Sequence, residues 1–235
     1  MQFFRDQPIS HRNHRDLGTA FGDLQYHPSY PTVEAYPEII ILENDRESPS
    51  KIDKWHTDMS FTRIPPFGSI LVGRIIPEKG GDTMFCSLAD AYDDLPDSLK
   101  GELEDMTATH SYAFGFKESL AEPGGPERLG PAIQRNPDVV HPVIRTHPVT
   151  GRKMVFVKAQ FTSKINGLSE EDSFALIKRL CDHMVQDKYV YRFRWQQDSI
   201  AFWDNRAVMH VPVNDYWPQT RRVERVTIND TRSPF

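Results

Sequence analysis

The sequence predicts one β-rich domain decorated by a few helices, of barrel or jelly-roll type. Short apolar, β-branched runs recur along the chain, and Gly, Pro or polar residues bound each of them. Apolar residues at helical spacing are confined to a few stretches. The length of 235 residues suits one full core, and β-rich barrels of this size usually stay undivided.

In the first third of the chain, Phe3 and Phe4 predict part of a strand that breaks at Pro8. Because the chain begins inside a strand, we expect material upstream to be missing. Ser10 predicts the cap of a helix that runs to about Phe21. The polar stretch from Asn44 to Lys54 predicts a loop. Strands are predicted at Glu38–Glu43, Trp55–Phe61 and Ile70–Ile76.

In the middle of the chain, Gly80-Gly81 predicts a turn and Ser87 predicts a helix cap. Pro96 divides that helix from a second one, which reaches about Met106. The stretch from Glu118 to Asp138 is rich in Gly, Pro and charge and predicts a loop or lid. Strands are predicted at Thr83–Cys86 and, as a hairpin, at Pro142–His147 and Lys153–Val157.

The last third begins with a capping-box spacing from Ser169 to Asp172, which predicts a helix to about Gln186. Its expected apolar side includes Phe174 and Leu180. Three strands are predicted after it, at Tyr189–Trp195, Ser199–Trp203 and Val223–Asn229.

Bulk properties exclude several classes of protein. A formal charge of -5 and a pI near 6.0 give no general attraction to nucleic acid or to an anionic membrane. The longest apolar runs are too short to span a bilayer, and no signal segment opens the chain. Two cysteines, Cys86 and Cys181, are too few for a disulfide framework, so we expect them to be reduced and the protein to be cytoplasmic.

His56-Thr57-Asp58 is a candidate metal motif. On a strand, residues i and i+2 project from one face, and non-haem iron(II) sites use two imidazoles and one carboxylate. With nine histidines in the chain, one such pair arises by chance about once. Bulky apolar neighbours, Trp55, Met59 and Phe61, favour the metal interpretation over a surface histidine beside a charged residue.

Several histidines compete for the third ligand position. His210 follows an apolar strand and a short turn, and it lies on the apolar run Val208–Val211. His11 and His14 lie on a charged early helix, where we expect them to be solvated. The other candidates are His110, His141, His147 and His183. Local chemistry alone leaves this choice open.

Three arginines, Arg221, Arg222 and Arg225, follow His210 in a largely apolar strand. A dicarboxylate cosubstrate needs a planar, bidentate donor of this kind. Arg221 and Arg225 are four residues apart and so share a face of a strand. Surface ion pairs with Glu224 and Asp230 are an equally good explanation at this point.

Five blocks together resemble the taurine dioxygenase and 2,4-dichlorophenoxyacetate dioxygenase family of Fe(II)/2-oxoglutarate enzymes. They occur in family order over nearly the whole chain. The blocks are Trp55–Phe61, Gly80–Thr83, His141–Pro148, Trp203–Arg206 and Asn214–Arg225. The resemblance implies a double-stranded β-helix core, the cupin-like form of the jelly roll.

The resemblance also implies roles for single residues. His56, Asp58 and His210 would hold Fe(II), and Thr83 and Arg221 would bind the C5 carboxylate of 2-oxoglutarate. His27, Tyr30 and Arg225 would form an anion pocket, with Phe116 and Phe161 as aromatic walls. The reaction with O2 would hydroxylate a small organic anion, taurine or a related alkylsulfonate first, giving an aldehyde, sulfite, succinate and CO2.

Alternatives remain within and outside the family. Lys51-Ile52-Asp53-Lys54 stands where taurine enzymes carry acidic and amide residues near the substrate amine. An alkyl sulfate ester or an aryloxyacetate is therefore the second candidate substrate. The third possibility is an inactive metal-binding jelly roll. Family resemblance further implies a possible homo-oligomer.

Overall fold

The computed structural model describes residues 1–26 and 30–234. Its strands are β1 (Gln2–Phe4), β2 (Thr32–Val33), β3 (Tyr36–Asn44), β4 (Gly68–Ile75), β5 (Thr83–Ser87), β6 (Thr107–His110), β7 (Val139–Pro142), β8 (Ile144–Thr146), β9 (Lys153–Val155), β10 (Thr162–Ile165), β11 (Val190–Phe193), β12 (Ile200–Asp204), β13 (Val208–Pro212) and β14 (Arg221–Ile228). Its α-helices are α1 (His11–Thr19), α2 (Leu88–Asp93), α3 (Asp97–Leu103), α4 (Tyr112–Gly115), α5 (Lys117–Ala121), α6 (Gly125–Arg135) and α7 (Glu170–Met184).

The chain divides into two compact units, each built from separate stretches of sequence. Unit 1 comprises residues 1–53, 66–85 and 191–231, and unit 2 comprises residues 54–65, 86–190 and 232–235. The expectation of one catalytic domain over residues 1–235 stays a prediction.

Unit 1 contains a six-stranded sheet in the order β1-β12-β4-β14-β3-β2, in which all neighbouring strands are antiparallel. Alternation along β4 sends Ile70 and Val72 to one face and Leu71 to the other. The Leu71 face shares a buried cluster with Phe85 and Phe193, which lie in a second sheet of order β11-β5-β13. A layer of apolar side chains therefore separates these two sheets.

Unit 2 combines a three-stranded antiparallel sheet, β10-β6-β7, with the β8-β9 hairpin and the helices α2 to α7. The hydroxyl of Ser169 accepts a hydrogen bond from the backbone N–H of Asp172 and so begins α7. Leu180 and Met184 are buried on this helix. None of the helices described in either unit has the length and apolar character needed to cross a bilayer.

Most predicted elements are confirmed, and the class of β-rich fold with decorating helices is confirmed with them. The Ser10, Ser87 and Ser169 caps each accept a hydrogen bond from the backbone N–H three residues ahead. The hairpin predicted before and after Pro148 is present as β8 and β9. The sequence did not reveal the short strands β2, β6, β7 and β10.

Two predicted segments are wrong. Trp55–Phe61 is not a strand, because residues 58–61 form a turn in which Met59 has a positive φ of 51°. The segment from Glu118 to Asp138 is largely helical, as α5 and α6. Gly124, with a φ of 71°, is the N-cap of α6, and Pro126 lies in the first turn of that helix. The Gly and Pro residues that predicted a loop therefore stand at the start of a helix.

The predicted solvation of His14 is also wrong. His14 is fully buried, and its Nε2 donates to the carbonyl oxygen of Ile70 at 3.0 Å. Leu17 on the same helix is exposed, as are Phe21 just beyond its end and Phe174 on α7. The prediction that His14 is solvated was based on its charged neighbours in sequence. In the structure, the side of α1 that carries His14 and Gly18 is the buried one.

Candidate active site

His56 and Asp58 lie in the loop of unit 2 that the sequence predicted as a strand. The Nδ1 of His56 donates to the carbonyl oxygen of Lys54 at 2.8 Å, which leaves Nε2 as the ligating nitrogen. That Nε2 lies 3.8 Å from the Oδ1 of Asp58. Both side chains are buried, and the turn that contains Met59 begins at Asp58.

Two buried histidines hold this turn. The Nε2 of His141 donates to the carbonyl oxygens of Ser60 and Thr62, at 3.1 and 3.0 Å. The Nδ1 of His110 lies 3.1 Å from the hydroxyl of Ser60. Burial lowers the pKa of His110 well below its ordinary value and also lowers the pKa of His141. Both imidazoles are therefore neutral hydrogen-bonding groups near pH 7.

His210 lies on β13 in unit 1, on a strand next to β5. Its ring centroid is 4.8 Å from that of Trp203 and 6.1 Å from that of Phe85. The imidazole is buried, and these rings limit the orientations open to it.

His56, Asp58 and His210 are all buried, and together they offer two imidazole nitrogens and one carboxylate. Two imidazoles and one carboxylate form the donor set of mononuclear non-haem iron(II) sites, and such a set leaves positions open for cosubstrate and oxygen. His110, His141, His147 and His183, the alternatives for the third ligand, are not part of this group. The set fits a resident Fe(II).

Thr83 and Arg221 meet within unit 1. The Nη2 of Arg221 donates to the hydroxyl of Thr83 at 3.4 Å, and its Nε donates to the carbonyl oxygen of Gly81 at 2.7 Å. Gly81 has a φ of +74°, and a Cβ there would lie 3.0 Å from the Cδ of Arg221. A side chain at this position would therefore displace the arginine as well as strain the backbone.

The guanidinium of Arg221 is buried, and no carboxylate oxygen of residues 1–26 or 30–234 lies within 4 Å of it. Burial lowers the pKa of Arg221 to about 10, so it stays charged at neutral pH. The charge of Asp82 acts on Arg221 without forming an ion pair with it, and a buried cation of this kind is stabilised when an anion binds beside it. The surroundings therefore suit the carboxylate of a cosubstrate.

Arg225 is half-buried on the same face of β14 as Arg221, about 13 Å further along the strand. It pairs with Ile40 of β3, which in turn pairs with Thr32 of β2. Tyr30 lies just before β2 and is 37% exposed. His27, the other residue predicted for this pocket, lies outside the described residues.

Phe116 and Phe161 belong to an aromatic cluster in unit 2. Their ring centroids are 5.9 Å apart, and Phe161 lies 4.9 Å from Phe61. Tyr112 completes the cluster, 4.5 Å from Phe116 and 5.0 Å from Phe61. Since Phe61 follows Asp58 by three residues, the metal-ligand turn itself contributes a ring to this apolar wall.

Sequence reasoning missed two residues that form hydrogen bonds to Thr83 and Gly81. Trp195 donates from Nε1 to the hydroxyl of Thr83 at 2.9 Å. Asp215 accepts from the backbone N–H of Gly81 at 2.8 Å and from Arg192 at 3.0 Å. Trp195 lay at the end of a predicted strand and Asp215 inside a family block, but no local pattern indicated their partners.

Comparison with known proteins gives three informative relatives. The chain is 35% identical to "Alkylsulfatase" from Acinetobacter baylyi, over 96% of this chain and 72% of that protein. It is 39% identical to the alpha-ketoglutarate-dependent 2,4-dichlorophenoxyacetate dioxygenase of Cupriavidus pinatubonensis, over 88% of this chain and 76% of that protein. The crystal structure of a taurine dioxygenase from Burkholderia xenovorans matches with a TM-score of 0.82 and 30% identity, over 99% of this chain and 76% of that one.

The family described as taurine catabolism dioxygenase TauD, TfdA matches residues 1–227. The chain belongs to the TauD/TfdA family. It is therefore a 2-oxoglutarate-dependent dioxygenase that uses Fe(II), 2-oxoglutarate and O2. The expectation of a jelly-roll core is confirmed by this membership and by the structural match. TauD/TfdA relatives named for sulfate esters, aryloxyacetates and taurine show that the family acts on small organic anions.

Proposed function

We propose that this TauD/TfdA chain hydroxylates the carbon next to the anionic group of a small organosulfur compound, taurine or a related alkylsulfonate first. The observation that carries the proposal is Arg221, a buried cation with no carboxylate within 4 Å among the described residues. Ionisable groups whose pKa is shifted strongly by burial cluster at functional sites, and burial lowers the pKa of Arg221 to about 10.

His56, Asp58 and His210 would hold the iron. Their donor types and burial fit Fe(II), and the hydrogen bond from His56 Nδ1 to Lys54 would direct Nε2 to the metal. When bound together, iron, 2-oxoglutarate and O2 supply the oxidising chemistry that hydroxylates a C–H bond, with succinate and CO2 as coproducts.

Arg221 and Thr83 would bind the distal carboxylate of 2-oxoglutarate. The guanidinium offers charge and a planar set of donors, and the hydroxyl of Thr83 offers one further donor. Burial makes both contacts stronger than they would be in water. The pair therefore selects a 2-oxo acid with a second carboxylate at its far end.

Arg225, with Tyr30 and His27, would bind the anionic group of the substrate. The strand register supports this role. Arg225 of β14 pairs with Ile40 of β3, and Ile40 pairs with Thr32 of β2, two residues after Tyr30. Phe116 and Phe161 would flank the carbon chain, where apolar rings exclude water from the reacting C–H bond. Hydroxylation of a carbon that bears a sulfonate gives a product that breaks down to an aldehyde and sulfite.

An alkyl sulfate ester is the second candidate substrate. The relative named "Alkylsulfatase" supports it, as does Lys51, a basic residue in the stretch where an acidic group would recognise the amine of taurine. Hydroxylation next to the ester oxygen would release sulfate instead of sulfite. The oligomeric state stays a prediction.

The experiment is a substrate panel with Fe(II), 2-oxoglutarate, ascorbate and O2, in which succinate, sulfite and sulfate are measured separately. The panel contains taurine, amine-free alkylsulfonates, alkyl sulfates and one aryloxyacetate. We expect sulfite from at least one alkylsulfonate, matched by succinate. Release of sulfate alone would indicate that the substrate is a sulfate ester, and release of a phenol alone would indicate an aryloxyacetate. Succinate formation that no member of the panel stimulates would overturn it.

A further inference from the structure

The hydroxyl of Thr83 is held by two donors at once. The indole Nε1–H of Trp195 donates to it at 2.9 Å, and Arg221 donates to it from Nη2 at 3.4 Å. Neither group can accept a hydrogen bond from a hydroxyl. The Thr83 oxygen must therefore be the acceptor in both contacts.

This arrangement fixes where the hydroxyl proton of Thr83 can point. A threonine oxygen has two lone pairs and one O–H, and Trp195 and Arg221 occupy both lone pairs. No acceptor for the remaining O–H occurs among residues 1–26 and 30–234. Since Thr83 is buried, that proton is directed away from both donors and is available to an acceptor that the protein does not itself supply.

Trp195 also contacts the second residue of the pair. The guanidinium carbon of Arg221 lies 5.8 Å from the centroid of the Trp195 ring, within the range of a cation–π interaction. Trp195 is itself buried in the apolar layer that contains Phe193 and Val223. One rigid indole therefore touches both side chains that would bind the cosubstrate carboxylate.

We propose that Trp195 is a positioning residue for the cosubstrate, which sets the Thr83 hydroxyl as a hydrogen-bond donor to the distal carboxylate of 2-oxoglutarate. This inference rests on the role proposed above for Thr83 and Arg221. Without the indole N–H, the Thr83 hydroxyl is free to rotate about its C–O bond, and the carboxylate loses part of a directed hydrogen bond.

The test compares two 2-oxo acids in the variant Trp195→Phe, which keeps an aromatic ring and removes the N–H. Dissociation constants are measured anaerobically with Fe(II), from the visible absorption of the bound 2-oxo acid. We expect the constant for 2-oxoglutarate to rise roughly fivefold, the loss of about one neutral hydrogen bond. The constant for 2-oxopentanoate, which has no distal carboxylate, should stay unchanged.

Further variants separate this inference from the proposed function. Thr83→Val should weaken 2-oxoglutarate binding alone, Thr83→Ser should keep it, and Trp195→Phe should add little in the Thr83→Val background, because Trp195 acts through that hydroxyl. Equal weakening for both 2-oxo acids, or no weakening, in Trp195→Phe would overturn the inference and leave the cosubstrate site intact. An unchanged constant in both Thr83→Val and Arg221→Lys would instead remove the proposed cosubstrate site.

Discussion

His141 donates from Nε2 to the carbonyl oxygen of Ser60 at 3.1 Å, two residues beyond Asp58 in the turn that carries the metal-ligand pair. The same nitrogen reaches the carbonyl oxygen of Thr62 at 3.0 Å. The neutral imidazole of His141 thus bonds two carbonyl groups of this turn. We therefore expect it to help hold the Asp58 carboxylate in position.

Replacing His141 by Phe should weaken Fe(II) binding about tenfold, the lower range for residues that orient metal ligands. Two buried carbonyl groups would lose their donor, and the turn would relax. Anaerobic equilibrium titration with Fe(II) measures the effect. His183→Phe is the control, because it also removes a histidine bond to a carbonyl, that of Ala91 at 2.7 Å, but lies outside the turn. Equal metal affinities in the two variants would contradict the positioning role.

Arg221→Lys should raise the dissociation constant for 2-oxoglutarate by about tenfold or more, because lysine cannot reproduce the planar contacts to Gly81, Thr83 and a carboxylate together. Fe(II) affinity without cosubstrate should change little. Both constants can be measured anaerobically on one sample. A matching loss of Fe(II) affinity would indicate general disruption of the site.

Gly81→Ala should lower stability by about 1–3 kcal/mol, since φ at Gly81 is +74° and a Cβ would lie 2.9 Å from Pro77 and 3.0 Å from Arg221. It should also weaken 2-oxoglutarate binding through the displaced arginine. Gly101→Ala is the matched control, because Gly101 lies in α3 and a Cβ there meets nothing within 4 Å. That change should be stabilising by about 0.5–1 kcal/mol. Urea unfolding of both variants measures whether the free energy of unfolding falls in Gly81→Ala and rises in Gly101→Ala.

Stability should fall as the pH drops below 6.5, in part because of His14. Burial lowers the pKa of His14 from 6.5 to about 4. The unfolded chain therefore binds a proton between these values that the folded chain does not, so the free energy of unfolding decreases as pH falls through this window. The full effect for one group is about 3 kcal/mol below pH 4.

The variant His14→Gln isolates that contribution, because an amide can donate to the Ile70 carbonyl but does not titrate. We expect a shallower fall in unfolding free energy between pH 6.5 and 4 than in the parent, measured by urea titration at each pH. The lowered pKa values of His110 and His141 act in the same direction, so some slope should remain. Parallel curves for parent and variant would refute the assignment to His14.

Local patterns predicted the regular parts of the fold well. Ser10, Ser87 and Ser169 marked helix starts because a capping hydroxyl acts within its own turn. Apolar runs predicted β3, β4, β12 and β14, because a strand buried in a sheet is a short run of consecutive apolar residues in the sequence. Short strands such as β6, Thr107–His110, were missed because pairing with β7 and β10, distant in sequence, defines them.

The site was predicted in its chemistry but not in its geometry. His56 and Asp58 were chosen for the alternation of a strand, yet Asp58 lies at the start of a turn in which Met59 has a positive φ. His110 and His141 were treated as possible metal ligands, since sequence cannot distinguish a ligating imidazole from one that holds a backbone turn. Trp195 gave no signal, because its hydrogen bond joins residues 112 positions apart.

The most direct test of the iron and 2-oxoglutarate sites is an anaerobic titration of the protein with Fe(II) and 2-oxoglutarate, followed by visible absorption. We expect a weak charge-transfer band at one equivalent of each, absent in His56→Ala and formed only at higher 2-oxoglutarate concentration in Arg221→Lys. A folded protein that gives no band, or a band that survives His56→Ala unchanged, would contradict the assignment of His56, Asp58 and His210 as the iron ligands.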